Sequence, residues 1–475
     1  MSFATRALGA FSRVTSSGKF ITEIDALRFI AIVSVLNFHA RTKFFPDEVH
    51  ALGQGVVGTA NWLYSCGWFG VQLFFVISGF ILCTPFAEHH LNNRARIPIS
   101  KYFLRRVTRL EPPYIINLVL LLALMLLCPV VREPQFASLS VGEYFQHFAA
   151  SLAYSHNLVY QEMSYINWVT WTLEIEVQFY ILAPLLAGVF ALRRAWLRRG
   201  VLVGAIALSC FMEHRYYMHW TWLGALDTAA LGAWWHNLVG FLSTMDVHMT
   251  LLGQIRFFLV GFLLADIYLT VWKGQPRKCF AWDAAGAAAW AVIPVLVAAQ
   301  QTLPQWLQAA RQPFWTLAGQ HAAATALGDV AAVLDGMLLP AAMLLAYVGA
   351  FRGRLLNVFF RNPLIATIGG MCYTIYLYHG FLIEPALWPT AGLTGRIEAA
   401  LTWRSLVQSA LMAGFVVAAA GGLFLLFEKP FMYKDWPARL SQRWLAPLRR
   451  WRSQRAAEAL AHPADDGVQV TVEEP

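Results

Sequence analysis

Runs of about 20 mostly apolar residues, separated by short polar and basic stretches, recur along the whole chain. A run of that length is what an α-helix needs to cross the hydrocarbon core of a bilayer. Ten such runs are readable, at 23–43, 67–87, 113–131, 168–191, 201–219, 251–271, 281–300, 328–350, 364–384 and 405–427. The pattern predicts an all-α protein, a polytopic transmembrane helical bundle of about ten spans. The fifth run is the least regular: MEHRYYMHW, Met212 to Trp220, brings charge and aromatic rings to its outer end, as an interfacial edge does.

Composition agrees with the pattern. Of the 475 residues, 58% are hydrophobic and 13% charged, far too apolar a balance for a soluble chain of this length. The formal charge of +9 does not point to nucleic acid, because in a membrane protein Lys and Arg first mark the cytoplasmic side. With a cytoplasmic N-terminus, the inner segments hold RARIPISKYFLRRVTR, RRAWLRR, KGQPRK, RGR and an arginine-rich tail, and about 28 of the 36 Lys and Arg against about 8 outside. Both termini are therefore expected in the cytoplasm. The expected division is a tail over 1–22, a transmembrane domain over 23–430 and a basic tail over 431–475 whose acidic end, HPADDGVQVTVEEP, is disordered. Met1 to Phe20 hold no apolar core before a small-residue cleavage site, so the first span is expected to direct insertion itself. The six cysteines form no CxxC pair and imply neither a disulfide framework nor a metal site.

Ionisable groups within spans are costly and direct attention to function. Arg28 and His39 stand eleven residues apart. At 100° per residue they share one helix face, offset by roughly 20° and separated by about 16 Å along the axis. Each alone has a plainer reading, as a snorkelling arginine and an interfacial histidine. In WVTWTLEIEVQFYILAP, Glu174 and Glu176 enter an otherwise apolar span and point to different faces; His39 on another helix is an obvious partner for one, and a structural ion pair with an arginine is the plainer alternative. KYFLRRVTRLEPPY places Arg105 and Arg109 on one face with Arg106 adjacent, a geometry suited to several phosphates and also to lipid headgroups. FGVQLFFVISGFIL carries Gln72, Ser78 and Gly79, residues that serve close helix packing or clear room for a ligand. CYTIYLYHG places Tyr373, Tyr376 and His379 at the outer end of the ninth span, where an aromatic belt is the plainer reading.

Taken together, these stretches resemble the acyltransferase-3 family of integral membrane acyltransferases, from about Glu23 to Tyr433. The likeness rests on the Arg-x10-His pattern at Arg28 and His39, FFVISGF from Phe74, RRxxR at Arg105, Arg106 and Arg109, WTLEIEVQFY with Glu176 as its characteristic glutamate, YTIYLYH, and FEKPF at Phe427 to Phe431. The chain departs from the pattern at Phe29, where glycine is frequent, and at Cys372, where serine is common. The extracytoplasmic hydrolase-like domain that some members carry is not expected here.

The resemblance implies an O-acetyltransferase-type enzyme that transfers an acyl group, usually acetyl, from a cytoplasmic acyl-coenzyme A such as acetyl-CoA to a hydroxyl at the outer face. The acceptor it implies is a carbohydrate: a lipopolysaccharide side chain, an exported polysaccharide, a glucan, a lipid-linked sugar or a small glycoside. The implied location is the bacterial cytoplasmic (inner) membrane, among its lipids. Arg105, Arg106 and Arg109 are expected to hold the donor's phosphates, with its pantetheine arm passing Arg28. His39 is expected as general base, or as the site of a covalent acyl intermediate, oriented by Glu176. Ser78, Tyr373 and His379 are expected on the acceptor side. The outer segments AYSHNLVYQEMSYINW and HRYYMHWTWLGALDTAALGAWWHN are candidate sugar platforms or interfacial anchors. Two other classes fit the composition: a proton-coupled transporter of a glycan or small solute, which also uses intramembrane Arg, His and Glu, and a non-catalytic scaffold.

Overall fold

The computed structural model describes residues 9–14, 20–44, 66–128, 132, 136, 138–224, 247–301, 322–394, 402–433, 435–440 and 451, with side chains left undescribed at 215–224, 298–301 and 391–394 and at a few other helical positions. Among these residues every regular element is helical. Eight helices are long and apolar enough to cross a membrane by length and composition. The first and ninth predicted runs are helical as well, but they carry Asp25, Arg28, His39 and His379 in place of a uniformly apolar surface.

The first helix, α1 (Thr22–Phe44), lies between two apolar clusters. Leu27, Ala31 and Val35 face one cluster, which includes α2 (Phe69–Asn92). Ile32 and Leu36 face the other, which includes α3 (Ile99–Leu127). Arg28 and His39 fall on this second face by helical period. The third predicted run begins at residue 113, on the second residue of the pair Pro112 and Pro113. The structure instead carries α3 unbroken from Ile99 through both prolines, so the RRxxR arginines belong to the same helix as the span. Prolines are tolerated inside membrane helices, where neighbouring groups satisfy the carbonyls they free.

Two short helices, α4 (Val141–Leu152) and α5 (His156–Tyr160), fill part of what was predicted as an outer loop. Ser140 starts α4 with a capping box to Glu143, the local signal of a helix beginning there. A 3-10 turn (Trp168–Thr170) leads into α6 (Trp171–Leu186), then α7 (Ala195–Gly224) and α8 (Leu251–Thr270) follow. The basic stretch RRAWLRR is not wholly a solvated loop: Arg198 and Arg199 stand in α7, and both bind the buried Asp266 of α8.

Helices α2 and α8 cross with their backbones close together. A Cβ added at Gly79 would fall inside van der Waals contact of the Phe258 carbonyl, and one at Gly261 inside that of the Val76 carbonyl. Phe258 stacks on Phe75 at 4.7 Å and on Phe179 at 3.9 Å beside this crossing. Gly79 therefore serves helix packing, and the room for a ligand lies elsewhere on α2. Gly79→Ala is expected to cost about 1–3 kcal/mol or more, because the obstacle is backbone and cannot rotate away. Thermal unfolding in detergent measures this, and an unchanged melting profile would refute the tight crossing.

Helices α9 (Phe280–Gln301) and α10 (Ala322–Arg352) complete the first cluster, where the Tyr347 hydroxyl donates to the Leu73 carbonyl at 2.7 Å. After α11 (Leu355–Phe360), the ninth predicted run is broken at Met371 into α12 (Pro363–Gly370) and α13 (Cys372–Thr394). Asn362 caps α12 by accepting from the Leu364 N–H at 2.9 Å. The last long helix, α14 (Trp403–Leu423), continues as a π-helical turn over Phe424–Glu428 and a 3-10 turn over Lys429–Met432, and α15 (Trp436–Leu440) ends the described elements.

Candidate active site

A cavity opens between α1, α2, α3, α6 and α13. Its wall brings together Arg28 from α1, Arg105, Arg106 and Arg109 from α3, and Arg13 from the N-terminal segment. Glu176 and Glu428 share the same wall. Arg13 had no local sequence signal. It is placed by tertiary contacts: Lys429 donates to the carbonyls of Gly9 and Ala10, and the Val14 N–H lies 3.4 Å from the Met432 sulfur.

Behind the arginines sits Asp25, with no exposed surface. One carboxylate oxygen accepts from Arg13 Nε at 2.9 Å and the other from Arg28 Nη1, so a single buried anion fixes two cations at the rim. Sequence reasoning passed over Asp25, although an acidic residue in the first turn of a helix is a recognisable signal. Arg106 is held differently, its guanidinium lying 5.8 Å from the Tyr102 ring centroid and 5.4 Å from that of Tyr180. Glu428 is aimed inward by the π-helical turn and accepts from the Thr374 N–H at 3.1 Å and from its hydroxyl. Such turns often mark functional positions.

Glu176 does not meet His39. Its Oε1 accepts from the Ser78 hydroxyl at 2.5 Å, on the arginine cavity. The reason is axial register: Trp168, at the start of the α6 segment, is the residue level with His39, and Glu176 lies about 12 Å further along. Glu174 turns the other way, as its two-residue offset predicts, and accepts from the Asn157 N–H at 2.9 Å, tying α5 to α6. Ser78 and Tyr373 likewise line the arginine cavity and do not stand beside His39. The Tyr373 hydroxyl is committed to the Leu110 carbonyl at 3.0 Å.

His39 stands at the other level. Its ring meets the edge of Trp168 at 4.4 Å and the ring of His379 at 5.2 Å. Gly380 lets the Trp168 indole approach, since a Cβ there would lie 3.2 Å from its Nε1. Tyr376 stands between the two levels: it lines the arginine cavity, bonds Thr172 at 2.5 Å and places its ring 5.6 Å from His379. Five arginines on one wall and a histidine pair beyond a single tyrosine suit a long polyanionic donor whose reactive end must reach an imidazole.

In the predicted outer segment AYSHNLVYQEMSYINW the aromatic rings pack against neighbouring rings and stay partly exposed. Tyr154 stacks on Tyr114 at 4.6 Å, and Tyr160 and Tyr165 each pack 4.2 Å from His147. Inside this cap His156 Nδ1 donates to the Glu162 carbonyl, so its Nε2 accepts from His147 Nδ1 at 2.9 Å. Burial pushes His156 down to about 4. Its unfolded value lies near 6.5, so the neutral ring contributes stability that is full above about pH 6.5 and lost as pH falls towards 4. Proteolysis of this cap by an acid-tolerant protease is expected to rise across that window, and His156→Phe is expected to flatten the rise. In the other predicted platform, side chains beyond His214 lie outside the described residues, as do residues 302–321 between the seventh and eighth predicted runs.

Comparison with known proteins adds to this geometry. The chain is 26% identical over 175 residues to O-acetyltransferase OatA of Staphylococcus aureus strain NCTC 8325 / PS 47, covering 36% of this chain and 25% of that protein. It is 24% identical over 173 residues to a putative O-acetyltransferase of Staphylococcus aureus strain COL, covering 35% of this chain and 25% of the relative. The chain thus spans about a quarter of the length of the curated relatives it matches. No solved structure matches it significantly. The acyltransferase-3 family model, described as an acyltransferase domain, matches residues 21–427, nearly the whole helical bundle, and the chain belongs to that family.

Proposed function

We propose that this chain is a membrane O-acetyltransferase that carries acetyl from cytoplasmic acetyl-CoA to a hydroxyl of a cell-envelope or exported carbohydrate. The observation that carries this reading is the cavity itself, whose wall gathers Arg13, Arg28, Arg105, Arg106 and Arg109 and includes Tyr376, whose ring lies 5.6 Å from His379. Coenzyme A is a polyanion at one end, with a diphosphate and a 3′-phosphate, and carries its thioester on a long arm. The arginine end suits the phosphates, and the Arg28 to His39 distance of about 16 Å suits the arm. Donor and acceptor then approach from opposite faces of the membrane, with the arginine end and both termini in the cytoplasm of a bacterial cell.

His39 acts as general base. As it takes the proton of the acceptor hydroxyl, the oxygen attacks the thioester carbon, the C–S bond breaks, and the departing thiolate takes the proton from the imidazolium. Glu176 serves at the donor level, where with Ser78 it offers a hydrogen-bonded polar pair to the arm. Calorimetry of acetyl-CoA with the protein in lipid nanodiscs tests the reading without knowledge of the acceptor. Saturable binding supports it, and failure of the folded protein to bind acetyl- or longer acyl-CoA would remove its main support.

A further inference from the structure

We infer that His379 is a positioning residue that holds His39 in one tautomer during transfer; this deepens the function proposed above and rests on His39 as the base. His379 has no exposed surface, and its Nδ1 lies 2.7 Å from the Tyr376 carbonyl oxygen. A carbonyl only accepts, so Nδ1 carries the ring proton and Nε2 of the neutral imidazole carries a lone pair. That Nε2 is buried and has no hydrogen-bond partner among the described residues. A buried acceptor left unmatched is costly, and this one is free to take a donor from a neighbouring ring.

The neighbouring ring is His39, with centroids 5.2 Å apart and planes tilted by 31°. His39 is half-buried and reachable, whereas His379 is enclosed behind it. Rotation of the His39 ring, or one bridging water, brings an N–H of His39 to the lone pair of His379. With that N–H held, the other nitrogen of His39 keeps its lone pair for the acceptor hydroxyl. The hydroxyl proton passes to that nitrogen as the oxygen attacks the thioester carbon, and then to the departing thiolate. His379 neither gains nor loses a proton. It fills the orienting place that a carboxylate holds in a Ser-His-Asp triad. The carboxylate expected there from sequence, Glu176, is bound to Ser78 instead. An uncharged partner also avoids the desolvation cost of a second charge beside an apolar helix face.

The test compares His379→Ala and His379→Gln, whose side-chain oxygen can replace Nε2 as an acceptor. Alkali-labile acetate on envelope carbohydrate is measured over time in cells expressing each variant, with acetyl-CoA affinity measured in nanodiscs. Expected for His379→Ala is a fall in transfer rate of about 100-fold or more with donor affinity unchanged, and for His379→Gln a recovery to within about tenfold of wild type. Wild-type transfer by His379→Ala would overturn the inference. So would equal loss in both variants, whether donor binding survives, which removes the acceptor role, or fails, which makes the residue structural. Absence of acetate esters with the unmodified protein is a separate outcome: it overturns the proposed function, and the inference with it.

Discussion

His39→Ala is expected to abolish acyl transfer while leaving the protein folded and in the membrane. A positioned general base contributes about 10²- to 10⁴-fold, and of the described rings around it His379 is enclosed and the Trp168 indole has no basic nitrogen. The fold should tolerate the change. His39 is half-buried, and the residues that fix the path of α1, Ile32 and Leu36 among them, are untouched. The measurement is alkali-labile acetate on envelope carbohydrate, normalised to the amount of protein in the membrane. Normal acylation by a well-expressed His39→Ala protein would sink the catalytic assignment. Acetyl-CoA binding should be nearly unchanged, because the arginine mouth lies about 16 Å away.

Replacing Arg105, Arg106 and Arg109 together by glutamine is expected to give the opposite split, with donor affinity lost and the His39 level intact. A hydrogen bond to a charged group contributes about 1.5–3 kcal/mol, so three phosphate contacts correspond to a loss of about 10³-fold or more, limited by the remaining Arg13 and Arg28. The loss should be largest at low ionic strength, because salt already screens the pairs that the variant lacks. Calorimetry of wild type and variant across a salt series reads both effects. An unchanged dissociation constant would mean that these arginines serve topology or lipid headgroups alone. Arg106 packs on Tyr102 and Tyr180, so the single variant Arg105→Gln, at an exposed position, separates charge loss from local unpacking.

Features that lie within one helix were legible from the order of residues. Apolar runs of bilayer length located the bundle, because a backbone in lipid must satisfy its hydrogen bonds internally. The eleven-residue step from Arg28 to His39 placed both on one face, and the spacing of Arg105 and Arg109 placed them on another, because 1.5 Å and 100° per residue are fixed by the helix. The opposed directions of Glu174 and Glu176 followed from the same rule, and the structure separates them into a tie to α5 and a group on the cavity. Only the tertiary structure decided which residues on different helices stand at the same depth. Axial register between helices is set by packing, such as the Gly79–Phe258 crossing, and no periodicity encodes it. Hence Glu176 met Ser78 and His379 met His39. Arg13 and Glu428 reached the arginine mouth from positions 415 residues apart in sequence, brought there because the N-terminal segment docks on the turn that follows the last long helix.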